Sequence, residues 1–452
     1  MVIVRIPAEL RPIAAVFAQG GYQCFLVGGA VRDLLMNTQP GDLDLATDAT
    51  PPQVTAIFRR VIPTGIAHGT VTILFQGKQY EVTTFRTETT YSDGRRPDSV
   101  AFASTIDEDL SRRDFTINGI ALDLHDGHVV DPFGGRDDIQ RCVVRAIGEP
   151  EERFREDALR LLRAIRFAVK LDFAIDKNTL AGIRRAAPTI SRISAERVRD
   201  ELTRMIQSPD PRRALRLLRD TGLLTPVLPE LETGIGVPQD GTAAPDVFEH
   251  LALSTEGAPS DRLDLRLAAL LHDVAKPDCL QEQDGVLQFH GHDDRSAEIS
   301  EAVLRRLRYP NRLIAHVSHL IRHHMFHYTS DWTDSAVRRF LSRVGVENVE
   351  DLFALRAADR YGKTGRRTAD PAIEELRVRI AEMTARRDAV SVAHLAVNGT
   401  DLMAAGIPRG PAVGTTLRFL LETVMDDPGQ NHQAQLLEIA RRFYEDRLNV
   451  EG

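Results

Sequence analysis

Two aspartates separated by one residue, Asp42 and Asp44, follow a short apolar segment that ends in Gly28 and Gly29. The alternation over residues 42–45 predicts a strand with both carboxylates on one face and both leucines in the core. Paired carboxylates bind Mg²⁺ together with substrate phosphates, and paired glycines let the backbone approach a phosphate at a helix start. The combination predicts metal-dependent phosphoryl transfer, whereas Asp-x-Asp alone would be two solvated acids.

A second set of candidate ligands lies in the C-terminal half of the chain. Histidine is scarce, with 14 in 452 residues, and it is crowded between positions 250 and 327. Histidine nitrogens together with nearby aspartate oxygens are typical ligands of a divalent metal, whereas a structural zinc site would use cysteine thiolates. The candidate ligands are His250, His272, Asp273, His292, His324 and Asp359, with His323 as the alternative to His324. The adjacent residues His272 and Asp273 are predicted to lie in a helix.

Composition limits the class of protein. At roughly 150 residues per domain, the chain is long enough for about three domains. Three scattered cysteines form no disulfide framework, and we find no secretion signal and no apolar segment of about 20 residues, so we expect a cytoplasmic protein without a membrane partner. The net charge is −8, yet residues 141–220 hold 19 Lys and Arg against 12 Asp and Glu. That segment could contact phosphates or be a solvated helical surface.

The elements that position these residues change character along the chain. Residues 1–140 predict mixed α/β structure, and from about Glu149 the apolar residues repeat at helical spacing almost to the end. We predict linkers at 228–244 and 362–370. The predicted N-terminal elements are a helix near Pro7–Gly20, a strand at Cys24–Val27, a helix through Val31–Met36, a strand at 43–45, and hairpin strands at 71–75 and 80–85.

Further motifs follow the acid pair in a fixed order. They are Arg112-Arg-Asp-Phe-Thr-Ile-Asn-Gly119, Asp131-Pro-Phe-Gly-Gly135, Glu156-Asp-x-x-Arg160, and Ile193-Ser-Ala-Glu-Arg197 with Glu201. With the glycines and the acid pair, they resemble the head and neck motifs of class II template-independent nucleotidyltransferases over about residues 20–230. That group contains bacterial CCA-adding tRNA nucleotidyltransferases, their CC-adding and A-adding relatives, and bacterial poly(A) polymerases.

The resemblance implies a role for each matching residue. Asp42 and Asp44 would be catalytic, holding Mg²⁺ and helping to activate the 3′-hydroxyl of the RNA. Asp157 and Arg160, three apart on a predicted helix, would read the base edge, because cytosine and adenine both offer an exocyclic amino group. Glu81 could be a third acid or an ordinary strand glutamate. The implied nucleotide-binding residues are Gly28, Gly29, Arg32, Asp33, Arg112, Arg113, Asp114, Asn118, Asp157, Arg160, Arg163 and Arg166.

A loop and the histidine set also resemble elements of this family. The loop Arg86–Val100, with Asp93-Gly-Arg-Arg-Pro97, corresponds to an element that helps the family's pocket switch from C to A, although its sequence is that of an ordinary exposed loop. The histidine set resembles the HD phosphohydrolase domain that some CCA-adding enzymes carry. One metal (Mn, Ni, Mg or similar) would be held by His250, His272, Asp273 and Asp359, and a second metal or a phosphate by His292 and His324.

We therefore expect an α+β protein with a nucleotidyltransferase head of mixed β-sheet and helices (1–145), an all-α neck (146–235), an HD domain (236–380) and C-terminal tRNA-binding helices (381–452). The expected function is CCA addition to tRNA from CTP and ATP, with metal-dependent hydrolysis of a phosphomonoester or 2′,3′-cyclic phosphate. A poly(A) polymerase or a CC- or A-adding enzyme is the alternative. From another class, the alternative is a phosphohydrolase with an RNA-binding head. The expected partners are the tRNA acceptor end and elbow, and not DNA.

Overall fold

The computed structural model describes residues 4–66, 69–89, 99–238, 243–284 and 286–451. The chain divides into two compact units, the first comprising Met1–Thr233 with Val303–Tyr309 and the second Gly234–Ala302 with Pro310–Gly452. The first unit contains a mixed sheet and helices, and the second is mainly helical, so the α+β expectation is confirmed. The Asp93–Pro97 motif lies outside the described residues.

A seven-stranded sheet organises the first unit, in the order β3-β4-β5-β2-β1-β8-β9. Its strands are β1 (Cys24–Val27), β2 (Leu45–Thr47), β3 (Val61–Gly65), β4 (Thr70–Phe75), β5 (Lys78–Thr84), β8 (Ala121–Asp123) and β9 (Val129–Val130). Two short pairs lie outside it: β6 (Arg86–Thr89) with β7 (Ser99–Phe102), and β10 (Val143–Val144) with β11 (Ala174–Ile175).

Strand β2 brings three sequence-distant segments to one end of this sheet. It pairs antiparallel with β1, where Leu45 lies opposite Leu26, and parallel with β5, where Leu45 lies beside Val82. The residues just before β2 are therefore next to the residues just after β1 and next to Glu81 of β5. Apolar side chains from both faces of the strands keep this arrangement rigid, including Phe25 and Phe85, which are almost fully buried.

The remaining elements of the first unit are helical. The helix predicted near Pro7–Gly20 is a 3₁₀ turn at Ala8–Leu10 followed by α1. The helices are α1 (Arg11–Gln19), α2 (Gly29–Leu35), α3 (Pro51–Ile57), α4 (Ile106–Ser111), α5 (Gly135–Gln140), α6 (Pro150–Glu156), α7 (Leu159–Lys170), α8 (Lys177–Ala186), α9 (Ala195–Ile206), α10 (Pro211–Asp220), α11 (Leu224–Val227) and α12 (Pro229–Glu232), with 3₁₀ turns at Thr116–Asn118 and Ala187–Arg192.

The second unit is built from helices and one hairpin. Its helices are α13 (Val247–Gly257), α14 (Leu263–Leu271), α15 (Lys276–Cys279), α16 (His292–Arg306), α17 (Asn311–Arg322), α18 (Asp334–Val344), α19 (Val349–Thr364), α20 (Pro371–Arg386), α21 (Gly399–Ala404), α22 (Pro411–Asp426) and α23 (Gln433–Glu451), and the hairpin is β12 (Gln281–Gln283) with β13 (Val286–Gln288). The last residues of α16, from Val303 onward, belong to the first unit.

Two sequence expectations about helix boundaries are wrong. Gly362 belongs to α19, which continues to Thr364, so the predicted linker at 362–370 begins later. His272 and Asp273 are not inside a helix, because α14 ends at Leu271 and they form the turn that follows. No helix in the described part of the chain combines the length and apolar composition needed to cross a bilayer.

Candidate active sites

The acid pair lies at the entrance to β2 rather than within a strand. The predicted strand at 43–45 is wrong: Asp42, Leu43 and Asp44 precede β2, and Leu43 is only half-buried. The Asp44 carbonyl still accepts a hydrogen bond from the Val27 amide at 3.0 Å, which fixes this segment against the end of β1. Both carboxylates nevertheless face the same cavity, because the segment is extended and continues the sheet.

Glu81 is electrostatically part of this acid pair. Burial raises the pKa of Asp44, the charge of Arg113 opposes that rise, and the charge of Asp42 adds to it. Burial also raises the pKa of Glu81, and the negative charges of Asp44 and Asp42 raise it further. Carboxylates gathered this closely are stabilised by a shared cation, and oxygen ligands of this kind suit Mg²⁺.

A cavity of about 690 Å³ collects every nucleotide-binding residue named from the sequence, together with Asp42 and Asp44. The set comes from the start and body of α2, the turn after α4, the 3₁₀ turn at Thr116–Asn118, the residue after α6, and α7, so distant motifs meet at one place. The cavity is also lined by residues to which the sequence assigned no nucleotide-binding role, among them Arg86, Phe167, Lys170 and Arg197.

A chain of hydrogen bonds holds the cavity wall in place. Arg32 donates to Asn118 at 2.8 Å, Asn118 donates to Asp114 at 3.1 Å, and Arg163 donates to Asp114 at 2.7 Å. Burial alone would raise the pKa of Asp114, but the charge of Arg163 and the hydrogen bond from Asn118 lower it to about 2. Asp114 is therefore a fixed negative charge that orients its neighbours.

Three guanidinium groups surround one aromatic ring. Those of Arg32, Arg163 and Arg166 lie 5.5, 5.3 and 4.1 Å from the centroid of Phe167. Arg166 is held on its other side by Glu201, at 2.5 Å. Cations over a ring face are attracted by its quadrupole, so Phe167 allows three positive charges to lie close together where a polyphosphate could bind.

Asp157 and Arg160 do not share a helix as predicted. Asp157 lies between α6 and α7, where its backbone is extended, and Arg160 is in the first turn of α7. The two side chains have different partners: Arg197 contacts Asp157 at 2.7 Å, and Arg160 contacts Glu156 at 2.5 Å. The helix break turns both side chains toward the same cavity, although not by the three-residue spacing that predicted it.

A glycine is required where β1 leads into α2. Gly28 has φ of 71°, and a β-carbon there would lie 2.9 Å from the guanidinium of Arg113. Arg113 and Arg112 are both paired with buried Asp109, at 3.2 and 2.7 Å. The backbone of the glycine turn thus approaches a fixed positive charge, which favours an anion in the cavity between them.

The second unit brings together six side chains from five segments of the chain. His250 comes from α13, His272 and Asp273 from the turn after α14, His292 from the start of α16, His324 from beyond the end of α17, and Asp359 from α19. Their ligand atoms form two groups that share Asp273, each with all atoms within 4.8 Å of one another: His250, His272, Asp273 and Asp359, and Asp273, His292 and His324.

Backbone carbonyls fix how three of these histidines point. The Nδ1 atoms of His272, His292 and His324 lie 2.9, 2.6 and 2.6 Å from the carbonyl oxygens of residues 269, 289 and 321. A carbonyl only accepts, so each Nδ1 carries a proton, and when the ring is neutral each Nε2 presents a lone pair to the centre. This is the orientation in which histidines bind metals.

Buried polar atoms at the centre of this cluster show whether its residues fit a metal. In the described chain, its buried atoms without a hydrogen-bond partner include Nε2 of His292, Nε2 of His324, Oδ1 of Asp273 and Oδ1 of Asp359. His292 and His324 nitrogens lie 3.1 and 3.5 Å from the same Asp273 oxygen, but without hydrogen-bond geometry. Leaving such groups unpaired in the interior is costly, so the donor set fits a bound cation.

Two lysines each contact one oxygen of a carboxylate in the cluster. Lys276 lies 2.7 Å from Oδ2 of Asp273, and Lys363 lies 2.9 Å from Oδ2 of Asp359. Burial alone would raise the pKa of Asp273, but the charges of His272 and Lys276 lower it well below its usual value. Burial alone would lower the pKa of His272, but Asp273 and Asp359 raise it to about 9. The cluster therefore attracts positive charge.

His250 is oriented differently from the other three histidines. Its Nδ1 atom and the Ser254 hydroxyl, one helical turn later, are both buried without a hydrogen-bond partner. A β-carbon at Gly362 would lie 2.0 Å from that hydroxyl oxygen and 2.9 Å from the His250 ring. The absence of a side chain at 362 lets α19 approach His250 closely and places Asp359 beside it.

Other histidines lie outside the cluster. His323 directly follows α17 and contacts the ring of His319, and burial together with nearby positive charge lowers its pKa to about 4. His290 is exposed, within 2.7 Å of Gln288. A third group, Asp264, His316 and Asp351, is neutralised by Arg262, which contacts both carboxylates at 2.8 and 2.7 Å, and so has the character of an ion-pair network.

Comparison with known proteins adds an independent observation. Three family profiles match successive segments: "Poly A polymerase head domain" over residues 24–145, "Probable RNA and SrmB- binding site of polymerase A" over 172–235, and tRNA nucleotidyltransferase domain 2 over 292–440. The CCA-adding enzyme of Geobacillus stearothermophilus is 36% identical over 420 residues, which is 92% of each chain. The chain belongs to the family of CCA-adding enzymes.

Other CCA-adding enzymes are similar to part of this sequence or to its fold. The CCA-adding enzyme of Limosilactobacillus reuteri (strain DSM 20016) is 48% identical over 226 residues, about half of this chain (49%) and 56% of that relative. The crystal structure of the Bacillus stearothermophilus CCA-adding enzyme with CTP superposes with a TM-score of 0.72 at 32% identity, covering 98% of both chains. The Thermotoga maritima enzyme complexed with tRNA-CCA shares the fold, with a TM-score of 0.60 at 19% identity over 98% of this chain and 100% of that one.

Proposed function

We propose that this protein adds CCA to the 3′ end of tRNA from CTP and ATP, without a nucleic-acid template. The observation that carries the proposal is the single cavity in which Asp42 and Asp44 meet the whole arginine-rich nucleotide set. Family relatives named CCA-adding enzymes, one of them crystallised with CTP and another with tRNA-CCA, support the same reaction.

The acids would promote an in-line transfer. Mg²⁺ bound there supplies a Lewis acid that neutralises charge on the attacking and leaving oxygens. Asp42 and Asp44 would hold the 3′-hydroxyl against the α-phosphorus, and its proton would pass to a carboxylate of the cluster. The bond from the 3′ oxygen to the α-phosphorus forms, the bond from that phosphorus to the β-phosphate oxygen breaks, and pyrophosphate leaves with the electron pair.

Different arginines of the cavity would bind the triphosphate and the base. Arg32 and Arg113, beside the glycine turn, would bind the triphosphate, whose charge of about −4 matches the cations present. Arg160 would donate to O2 and N3 of cytosine while Asp157 accepts from the amino group. Their fixed partners, Glu156 and Arg197, keep both side chains oriented without a template strand. The basic segment 141–220 would contact tRNA phosphates.

A nucleotide panel tests this proposal. Purified protein is incubated with tRNA lacking CCA, tRNA ending in C, tRNA ending in CC, and an oligo(A) primer, with each nucleoside triphosphate supplied separately. Addition of C, C and then A to tRNA alone is expected. Long A tails on the primer would favour a poly(A) polymerase, and addition stopping at CC or limited to A would favour the partial-adding relatives.

We propose further that the second unit is an HD-type metal-dependent phosphohydrolase. What supports it is the cluster of oriented histidine nitrogens and unpartnered carboxylate oxygens around Asp273. These side chains would hold a divalent metal, which would supply an activated water for attack on a phosphorus centre. Lys276 and Lys363 orient the two carboxylates, and the expected substrate is a phosphomonoester or a 2′,3′-cyclic phosphate, such as a damaged tRNA end.

Phosphate release tests this second activity separately. The protein, supplied with Mn²⁺, Ni²⁺ or Mg²⁺, is incubated with 2′,3′-cyclic AMP and with a tRNA ending in a 2′,3′-cyclic phosphate. Ring opening or phosphate release that is absent from the Asp273→Ala variant is expected. Hydrolysis without any nucleotide addition would favour the alternative of a phosphohydrolase whose head only binds RNA, and no hydrolysis would leave the second unit a scaffold.

A further inference from the structure

One histidine of the cluster in the second unit lacks the backbone partner that the other three have. The Nε2 atom of His250 faces the centre, 3.2 Å from an oxygen of Asp273 and 3.2 Å from an oxygen of Asp359. The other ring nitrogen, Nδ1, is buried and has no hydrogen-bond partner in the described part of the chain. The group that fixes this ring has therefore still to be found.

Binding a metal through Nε2 changes what the Nδ1 atom of His250 needs. A neutral imidazole carries one proton, so an Nε2 lone pair that binds a cation leaves the proton on Nδ1. Without a cation the proton can stay on Nε2, which has the carboxylate oxygens of Asp273 and Asp359 within 3.2 Å. A bound metal thus creates a buried Nδ1 donor, and a buried donor without an acceptor is costly.

The Ser254 hydroxyl lies where it can accept from this donor. Ser254 follows His250 by four residues on α13, so the two side chains share one face of the helix. Its oxygen is fully buried and has no hydrogen-bond partner in the described chain either. Oγ of Ser254 and Nδ1 of His250 lie 2.0 and 2.9 Å from the point that a β-carbon of residue 362 would occupy. Two unpaired polar atoms of complementary chemistry are therefore neighbours in the interior.

The next residue on α13 shows how such a hydroxyl bonds in this helix. Thr255 donates to the carbonyl oxygen of Leu251 at 2.8 Å. The same four-residue bond from Ser254 would use the carbonyl oxygen of His250, and the lone pairs of Oγ would remain free to accept. Rotation of the Ser254 side chain about χ1 would then join Nδ1, Oγ and this carbonyl in one chain of hydrogen bonds.

We infer that Ser254 is a positioning residue of the proposed metal site, whose hydroxyl accepts a hydrogen bond from Nδ1 of His250 when Nε2 binds the metal. The inference rests on the proposed metal binding. Ser254 gives His250 what backbone carbonyls give the other three histidines. Outer partners of this kind orient the ring, and their loss weakens metal binding by about 10–100-fold. Gly362 belongs to the same arrangement, because a side chain there would occupy the space that the hydroxyl and the ring share.

Metal affinity and metal-free stability together separate this role from packing. The full-length protein is stripped with EDTA, its unfolding in urea is measured, and it is then titrated with Mn²⁺ in a calorimeter. Ser254→Ala should weaken Mn²⁺ binding about tenfold and leave the urea midpoint of the stripped protein unchanged, because a hydroxyl without a partner contributes little to folding. A serine that only fills space between α13 and α19 predicts that the midpoint falls as well, and that result would overturn the positioning role.

Thr255→Val is the matched control. It removes a buried hydroxyl from the next position of α13, where the hydroxyl bonds to a backbone carbonyl, and it should bind Mn²⁺ as the wild type does. Wild-type affinity in Ser254→Ala, or an equal loss in both variants, would overturn the role of Ser254 alone. A wild-type protein that binds no Mn²⁺ would overturn the proposed metal site, and the role of Ser254 with it.

Discussion

The Nε2 atom of His292 lies 3.1 Å from the Oδ1 atom of Asp273, and both atoms are acceptors. The Nδ1 atom of His292 is committed to the carbonyl oxygen of Phe289, so its Nε2 has no proton to offer while the ring is neutral. Two lone pairs at this distance repel each other unless a cation lies between them. This relationship supports the proposal that the cluster binds a metal.

Metal content tests this relationship directly. We expect the purified protein to bind at least one divalent metal per chain, and the Asp273→Asn variant to lose most of it, because Asp273 belongs to both ligand groups. Asp264→Asn is the matched control, since its acid cluster is already neutralised by Arg262. Elemental analysis after gel filtration measures both. Equal metal in the Asp273 and Asp264 variants would contradict the assignment.

Gly362 should resist even the smallest substitution. In Gly362→Ala the new β-carbon would lie 2.0 Å from the Ser254 hydroxyl and push against His250, so we expect a loss of about 1–3 kcal/mol in unfolding free energy and reduced metal binding. Gly414→Ala, at an exposed position of helix α22 where the new β-carbon would have no atom within 4 Å, should instead stabilise the protein by about 0.5–1 kcal/mol. Urea denaturation compares the two, and equal stabilities would refute the close helix approach.

Asp114 should make stability depend on acid pH. Its pKa is lowered to about 2 in the folded protein, so its contribution is complete above its ordinary pKa near 3.8 and is lost as pH falls through 2. The shift corresponds to about 2 kcal/mol at neutral pH. Asp114→Asn should lose about this amount at pH 7 and show a flatter profile between pH 5 and pH 2. Parallel profiles for wild type and variant would contradict the role of Asp114.

Arg160 should govern base choice. Removing its guanidinium in Arg160→Ala takes away the donors proposed for cytosine, so we expect the preference for CTP over UTP in kcat/KM to fall about tenfold. Arg155→Ala, an exposed arginine of neighbouring α6, should keep the preference and serves as the control. Unchanged discrimination in folded Arg160→Ala would show that another residue reads the base.

The order of the sequence motifs predicted which residues line the nucleotide cavity, but the spacing within the motifs did not predict their secondary structure. The spacing at Asp42 and Asp44 suggested a strand, but the ladder with β1 and β5 begins only at Leu45, because hydrogen bonding between strands depends on partners distant in sequence. Likewise, the spacing of Asp157 and Arg160 suggested one helix. The pairing of Asp157 with Arg197, 40 residues away, accompanies a break that local spacing cannot reveal.

Residues that act through packing were missed in the histidine cluster. Its ligand candidates stand out in the sequence because histidine is rare, yet Ser254 and Gly362 carry no local signal. Their importance follows from the close approach of α19 to α13, which places a glycine against the His250 ring. Lys276 and Lys363 follow their aspartates by three and four residues, and that helical spacing could have indicated the pairing.

Assaying two variants for both activities tests the assignment of Asp42 as a catalytic acid most directly. Wild type, Asp42→Ala and Asp273→Ala are each assayed for CTP and ATP incorporation into tRNA lacking CCA, and for hydrolysis of a 2′,3′-cyclic phosphate. We predict that Asp42→Ala abolishes nucleotide addition and keeps hydrolysis, and that Asp273→Ala does the reverse, since the acids belong to different units. Nucleotide addition at the wild-type rate by folded Asp42→Ala would contradict the assignment of the catalytic acids.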